Sequence, residues 1–331
     1  MNVRRLIPTA TLAGTVTLGM VALSACSSST DATGKSADGK LAVVASFYPM
    51  EYLARQIGGD HVSVTTLTKP GVEPHDLELK PRQAAQLGEA GVILYLKGIQ
   101  PAVDKAIGQS GAKTVIDATT LTTLENHGTE TGHDHGHDDH AGEAADDADH
   151  AHEESTTDGK DPHIWLDPVR FAEVAKGVGA SLEKADPDHA AAYKKNTSAL
   201  VTKLDGLNTS FKEGLADTGT RTFITTHAAF GYLAERYGLE QEAIAGIDPE
   251  SEPSPARVKE LETIAKRDKV TTVFFETLAS DKTARTVAGD SGLKTDVLDP
   301  IEGITDKTKG RDYIEVMRSN LDALRTALGA K

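Results

Sequence analysis

Between His127 and Lys160 the chain carries a run that no packed core can use, and this run divides everything else into two parts. It holds seven of the twelve histidines: His127, His133, His135, His137, His140, His150 and His152. Among them lie Asp134, Asp138, Asp139, Glu143, Asp146, Asp147, Asp149, Glu153 and Glu154, with almost no apolar residue larger than Ala. So little apolar surface cannot offset the entropy of ordering, which predicts a disordered insertion. Imidazole and carboxylate together form a mobile ligand pool for borderline metals such as Zn2+. Taken alone, the same composition also fits a solvated linker or a nickel-storage tail. Directly after it stands Asp161-Pro162-His163-Ile164-Trp165-Leu166-Asp167-Pro168, one histidine fixed between two prolines and beside an indole.

The first residues read as a targeting segment. Arg4 and Arg5 precede a mostly apolar stretch from Leu6 to Leu23, too short and too polar for a comfortable spanning helix. The tetrapeptide Leu23-Ser24-Ala25-Cys26 resembles the bacterial lipoprotein box, which implies cleavage before Cys26 and lipid on its sulfur. Residues 27–39 then read as a flexible tether. Cys26 is the only cysteine, so no intrachain disulfide can form and packing must hold the exported part together. The expectation is an extracytoplasmic protein, lipid-anchored to the outer face of the cell membrane. A net charge of −15 over 331 residues argues against a nucleic-acid partner, which wants a basic face.

Either side of the His-rich run, short β-rich segments alternate with helix-like ones. Strands are predicted at 41–48, 61–68, 92–96 and 114–117, with helices at 50–57, 81–90 and 101–107 between them. Asp167-Pro168 and Asp186-Pro187 each carry a helix-start signal. From Asp188 to Leu215 no proline intervenes, and Leu200, Leu204, Leu207 and Phe211 recur at helical spacing, which predicts one long helix. A second alternating unit follows, with strands at 221–226, 242–247, 270–275 and 295–298 and helices at 227–237, 255–268, 281–289 and 307–328. The pattern predicts an α/β protein of two doubly wound parallel-sheet lobes joined by that helix, with a cleft between their loop edges. The corresponding division is a signal peptide at 1–25, a lipidated cysteine and tether at 26–39 and a first lobe at 40–186 with its insertion at 126–160. The linking helix then occupies 187–216 and the second lobe 217–331.

Four places carry candidate chemistry. His75 follows Pro74 in the loop after the second strand; alone it would pass for a surface-loop histidine. His163 restarts the chain after the run, and His227 follows the strand at 221–226, where a helix-start histidine is the plain alternative. Asp299 and Glu302 lie after the last strand and could equally be helix caps. Three imidazoles and a carboxylate, drawn from both lobes, suit tetrahedral Zn2+ and suit Mn2+ less well. Asp76, Asp161, Glu276 and Asp299 are candidates to orient the imidazoles from behind.

The segments VEPHDLELKPRQ, DPHIWLDP, TTHAAFGYLAERYGL, FFE and VLDPIEG are similar to those of the ZnuA-like (cluster A-I) zinc and manganese solute-binding proteins of ABC importers. The resemblance covers essentially the whole chain after residue 40. It implies a metal buried between two lobes joined by a rigid helix, with His75, His163 and His227 as ligands. A fourth ligand would be the carboxylate matching either Asp299 or Glu302; Pro300 is stiff and Glu reaches further, which favours Glu302. Manganese-type members carry Glu at the third position, so His227 is similar to the zinc branch, as is the His-rich insertion. On this footing the cargo is Zn2+ rather than Mn2+, and the partners are an ABC permease and its ATPase. The chain would act as a monomer, with His133, His135, His137, His140, His150 and His152 as an auxiliary capturing loop. His61 and His189 match no ligand motif and are expected to be surface or packing residues. Two other readings are a manganese-binding homologue or surface adhesin, and a zinc hydrolase. Against the hydrolase, the sequence lacks an H-E-x-x-H helix and a G-x-S-x-G elbow.

Overall fold

The computed structural model describes residues 34–127 and 159–331. Cys26 and the capturing histidines His133, His135, His137, His140, His150 and His152 lie outside the described residues, as does the expected disordered insertion at 126–160 apart from its ends, residues 126–127 and 159–160. Four parallel strands form the first sheet: β1 (Leu41–Ala45), β2 (Val62–Thr66), β3 (Val92–Tyr95) and β4 (Val115–Asp117), in the order β2-β1-β3-β4. The second repeats the order one unit later as β6-β5-β7-β8, from β5 (Thr222–Thr225), β6 (Glu240–Ala243), β7 (Thr272–Phe275) and β8 (Lys294–Val297). Parallel strands need crossover helices, and these cover both faces of each sheet. In the first lobe α1 (Tyr48–Gly58) packs Met50, Leu53 and Ile57 on one face, with Val43, Ala45 and Leu94. Beneath the other face, α2 (Pro81–Glu89) and α3 (Pro101–Ser110) bring Leu87 and Val103 against Val44 and Ile93.

Helix α4 (Pro168–Ala185) begins where Asp167 accepts from Val169 N, with Pro168 in its first turn. The next helix, α5 (Ala190–Gly214), is 25 residues long, roughly 38 Å at the usual rise. Its first half lies on the first lobe, where Gly179 of α4 lets Thr197 approach and Asn196 donates to the Ile57 carbonyl at 3.0 Å. Its second half lies on the second lobe, where Gly214 meets Leu321 of α9 (Tyr313–Leu328). Leu200, Leu204, Leu207 and Phe211 are all buried along one stripe, which makes α5 the spine of a core common to both sheets. The other helices of the second lobe are α6 (Gly231–Tyr237), α7 (Pro255–Arg267) and α8 (Lys282–Ser291).

Several boundaries differ from expectation, beginning with the first strand, which ends at Ala45, while Tyr48 already begins α1. The helix expected from His227 starts only at Gly231, because the His227 carbonyl is taken by Thr225 Oγ1 at 2.7 Å and Gln241 Nε2 at 3.0 Å. Strand β6 begins at Glu240, immediately after the left-handed Gly238 ends α6, and the apolar residues read as that strand only extend it. Ile244 and Ala245 still donate to the Thr225 and Thr226 carbonyls. The closing helix starts at Tyr313 instead of Lys307, because Asp312 caps it by accepting from Glu315 N at 2.9 Å. Among the described residues no helix is long and apolar enough to cross a membrane. Replacing the spine residue Phe211 by Ala should cost about 3–5 kcal/mol in urea unfolding, whereas Asp312→Ala, which removes only a cap, should cost about 1 kcal/mol.

Candidate metal centre

Each candidate side chain stands in a loop beyond the carboxyl end of a strand or at a chain re-entry, as this sheet topology dictates. His75 follows β2 and its amide donates to Glu73 Oε1 at 3.2 Å. His163 heads a short turn at Ile164–Leu166 that places Trp165 in the core. His227 follows β5, and Glu302 sits in the loop after β8. All four are brought together: one potential ligand atom from each lies within 4.8 Å of every other. The His75, His163 and His227 Nε2 atoms stand 3.5, 3.7 and 3.7 Å from Glu302 Oε1. None of these Nε2 atoms, and neither Glu302 oxygen, has a hydrogen-bond partner. Polar atoms this deeply buried normally have one. Separations of this order suit donors sharing one ion, since zinc–nitrogen and zinc–oxygen bonds of roughly 2.0–2.2 Å place tetrahedral ligand atoms about 3.3–3.6 Å apart.

Behind two of the imidazoles stand carboxylates. His163 Nδ1 lies 2.8 Å from Asp161 Oδ1, and His227 Nδ1 lies 2.8 Å from Glu276 Oε1. An Nδ1–H given to a carboxylate leaves the Nε2 lone pair aimed at the centre and makes it more basic. Of the other proposed supports, Asp76 is exposed. Asp299 is not among the grouped ligand atoms; its carboxylate accepts from Ile301 N and Thr277 Oγ1, both at 2.8 Å. In this arrangement Asp299 holds the loop that carries Glu302. Asn320 grips the same residue twice, donating to its carbonyl at 2.7 Å and accepting from its amide at 3.0 Å. Between the two acids Ile301 has φ 60°, a conformation that costs a β-branched residue on the order of 1–3 kcal/mol. His61 and His189 stack at 4.1 Å, far from this group in the chain's architecture, and His189 pairs with Asp186 at 2.7 Å.

Charge inside the cluster is finely divided. Burial opposes a proton on His163, but Asp161 and Glu302 outweigh it and hold its pKa above the usual histidine value. For His227 burial likewise opposes the charge, and Glu276 and then Glu302 raise it well above. Burial would raise the Glu302 pKa, yet the three histidines keep it well below the ordinary carboxyl range. Sequence reasoning missed Glu73, whose carboxyl is pushed up to about 9 by burial and then by the Glu302 charge. The only signal for it was an acid two residues before His75 in a proline-bounded loop.

The loops are stitched across the cleft. Trp165 Nε1 donates to the Pro300 carbonyl at 2.7 Å, Tyr313 Oη to the Trp165 carbonyl at 2.5 Å, and Tyr232 Oη to the Asp161 carbonyl at 2.7 Å.

The family ZnuA, described as zinc-uptake complex component A periplasmic, matches residues 43–327. The chain belongs to this family. It is 36% identical over 316 residues to the high-affinity zinc uptake system protein ZnuA of Bacillus subtilis, covering 93% of this chain and 94% of that one. The zinc-binding lipoprotein AdcA of Streptococcus pneumoniae is also 36% identical, over 298 residues and 88% of this chain. Here the chain spans only 56% of the relative's length. The crystal structure of Zn(II)-bound AdcA from Streptococcus pneumoniae superposes with a TM-score of 0.70 at 33% identity, covering 88% of this chain and 59% of that one. The two-lobed α/β architecture is thus a family property.

The stitch nearest the cluster is open to test. Trp165→Phe keeps most of the buried ring but strands the Pro300 carbonyl, and should cost about 1–3 kcal/mol in thermal unfolding. An unchanged midpoint would show that water satisfies that carbonyl.

Proposed function

We propose that this protein is the extracytoplasmic zinc-capturing component of an ABC importer. It would hold Zn2+ between its lobes through His75, His163, His227 and Glu302 and pass it to a membrane permease driven by its ATPase. The observation that carries the reading is the group of unpartnered Nε2 and carboxylate atoms around one point, three imidazoles and one acid. Family membership and the zinc-uptake names of the relatives support the same cargo. Four protein ligands fill a tetrahedral shell, whereas a catalytic zinc keeps a position for water, so the site suits capture rather than hydrolysis. Three imidazoles favour zinc over the harder manganese ion. Anchoring through lipidated Cys26 and weak auxiliary binding by His133, His135, His137, His140, His150 and His152 complete the proposal. With those six removed, weak equivalents should disappear while one tight equivalent remains.

Chelator-competition titration tests the ligand set. His227→Ala should weaken zinc binding by at least about 10–100-fold, the loss typical of mere supporting residues, without unfolding either lobe. His227→Glu should narrow the preference for zinc over manganese without reversing it, since zinc lies higher in intrinsic affinity. Wild-type affinity in His227→Ala would overturn the assignment.

Protons compete with the ion for the same Nε2 atoms, and two of these imidazoles hold protons more tightly than usual. Zinc affinity should therefore fall as pH drops, with the decline starting above the ordinary histidine value of about 6.5. The metal-free fold responds with the opposite sign. Raised histidine pKa values contribute stability that is fully present below about 6.5 and is lost as pH rises through the folded-state values. Titrations and urea unfolding across this range should show the two trends crossing; an affinity flat down to about pH 6.5 would contradict the raised values.

A further inference from the structure

A pocket of about 520 Å³ opens at the seam between the lobes, where α4, α5 and α6 meet. Its apolar lining is Val169 in the first turn of α4, Leu215 at the end of α5, and Tyr237, whose ring stacks on Phe211 at 5.2 Å. Its charged lining is Lys212, Arg221 and Arg236, and no carboxylate stands among the lining residues. The whole chain carries 50 acidic against 35 basic side chains, so a pocket of three bases and no acid runs against its composition. Cavities of roughly 300–1,000 Å³ are those that enclose small organic molecules.

Each base keeps some capacity for an anion. Asn208, Lys212 and Leu215 recur along α5 at the spacing of one helix face. No acid lies three or four residues from Lys212, and among the described residues neither Lys212 nor Arg221 pairs with a carboxylate. Arg221 directs Nη1 and Nη2 at the carbonyls of Leu215, Tyr237 and Ala216, at 3.2, 3.4 and 3.5 Å, which leaves its Nε free. Those carbonyls close α5 and α6 and carry the partial negative charge of helix ends, which the guanidinium offsets. Arg236 gives Nε and Nη2 to Asp167 Oδ2 at 2.9 and 2.7 Å and keeps Nη1 free. Tyr237 Oη donates to Asn208 Oδ1 at 3.1 Å, so the Asn208 amide nitrogen is also free to donate.

We propose that this pocket binds an organic phosphate monoester, with its phosphate on Lys212, Arg221 and Arg236 and its apolar body against Val169, Leu215 and Tyr237. Two cations without a carboxylate partner match a group that carries about −1.5 to −2 charge at pH 7. The forked N–H groups of arginine suit the oxygens of such a group. Inorganic phosphate alone would leave the apolar lining uncovered. The ligand touches α4 and α6 at once, beside the Arg236–Asp167 pair, so its binding fastens the seam between the lobes. A soluble alkyl or aryl phosphate and the headgroup of phosphatidic acid share this chemistry. Neither the pocket nor its test depends on what the buried cluster holds.

The test uses the full mature chain carrying Cys26→Ser, so that no lipid of its own takes it to a membrane. Phenyl phosphate and inorganic phosphate are titrated calorimetrically, and co-sedimentation is measured with phosphatidylcholine vesicles with and without phosphatidic acid. Phenyl phosphate should bind several-fold more tightly than inorganic phosphate and raise the thermal midpoint. Lys212→Glu should weaken that binding about tenfold or more, as expected for losing one hydrogen bond to a charged group. Lys203→Glu, on the same helix but outside the pocket, should change it little. Binding confined to the phosphatidic-acid vesicles, with the same contrast between the two variants, supports the pocket with a headgroup as its ligand. Binding in neither arm, inorganic phosphate held as tightly as phenyl phosphate, or a loss in Lys212→Glu no greater than in Lys203→Glu overturns the proposal.

Discussion

Glu302 is a carboxylate with no exposed surface and no hydrogen bond, and the rest of the molecule is arranged around making that tolerable. An isolated buried charge is among the most expensive features a fold can carry. Here the compensation comes from three imidazoles, each from a different loop and two from the opposite sheet's side of the chain. Burial opposes protons on His163 and His227, but the neighbouring carboxylates outweigh it and raise both pKa values, and in the proposed function an ion would displace those protons. The architecture of two parallel sheets, each offering its loop edge to the other, is what allows four remote segments to converge on one oxygen.

Much of this was legible in the residues. Alternating strand-like and helix-like runs give the two sheets, and the proline-free stretch with Leu200, Leu204, Leu207 and Phe211 gives α5. Each of His75, His163 and His227 stands beside a strand end or a proline, which is where such topologies expose ligands. What could not be read was side-chain competition for backbone groups. Thr225 and Gln241 take the His227 carbonyl and so keep that residue out of the helix that its surroundings otherwise favour. Asp312 similarly shortens the last helix, although Asp312-x-x-Glu315 is a capping pattern visible in hindsight.

The choice between Asp299 and Glu302 shows the same limit. Both acids lie in one short loop, and spacing cannot tell which faces inward. Two local features favour Glu302: Asp299 accepts from Ile301 N and Thr277 Oγ1, and Ile301 between the two acids adopts a left-handed conformation. Glu73 was invisible for a different reason. Its altered proton affinity comes from burial and then from Glu302, more than two hundred positions away in the chain.

The stitches across the cleft have a consequence of their own. Indole to carbonyl and phenol to carbonyl are contacts between uncharged partners, buried where mobile ions do not reach. Dissolved salt weakens attractions between exposed charges over about 10 Å at ordinary strengths, and it has little purchase on these. These three contacts should therefore hold alike in brine and in fresh water, unlike the partly exposed Arg236–Asp167 pair that also joins the lobes.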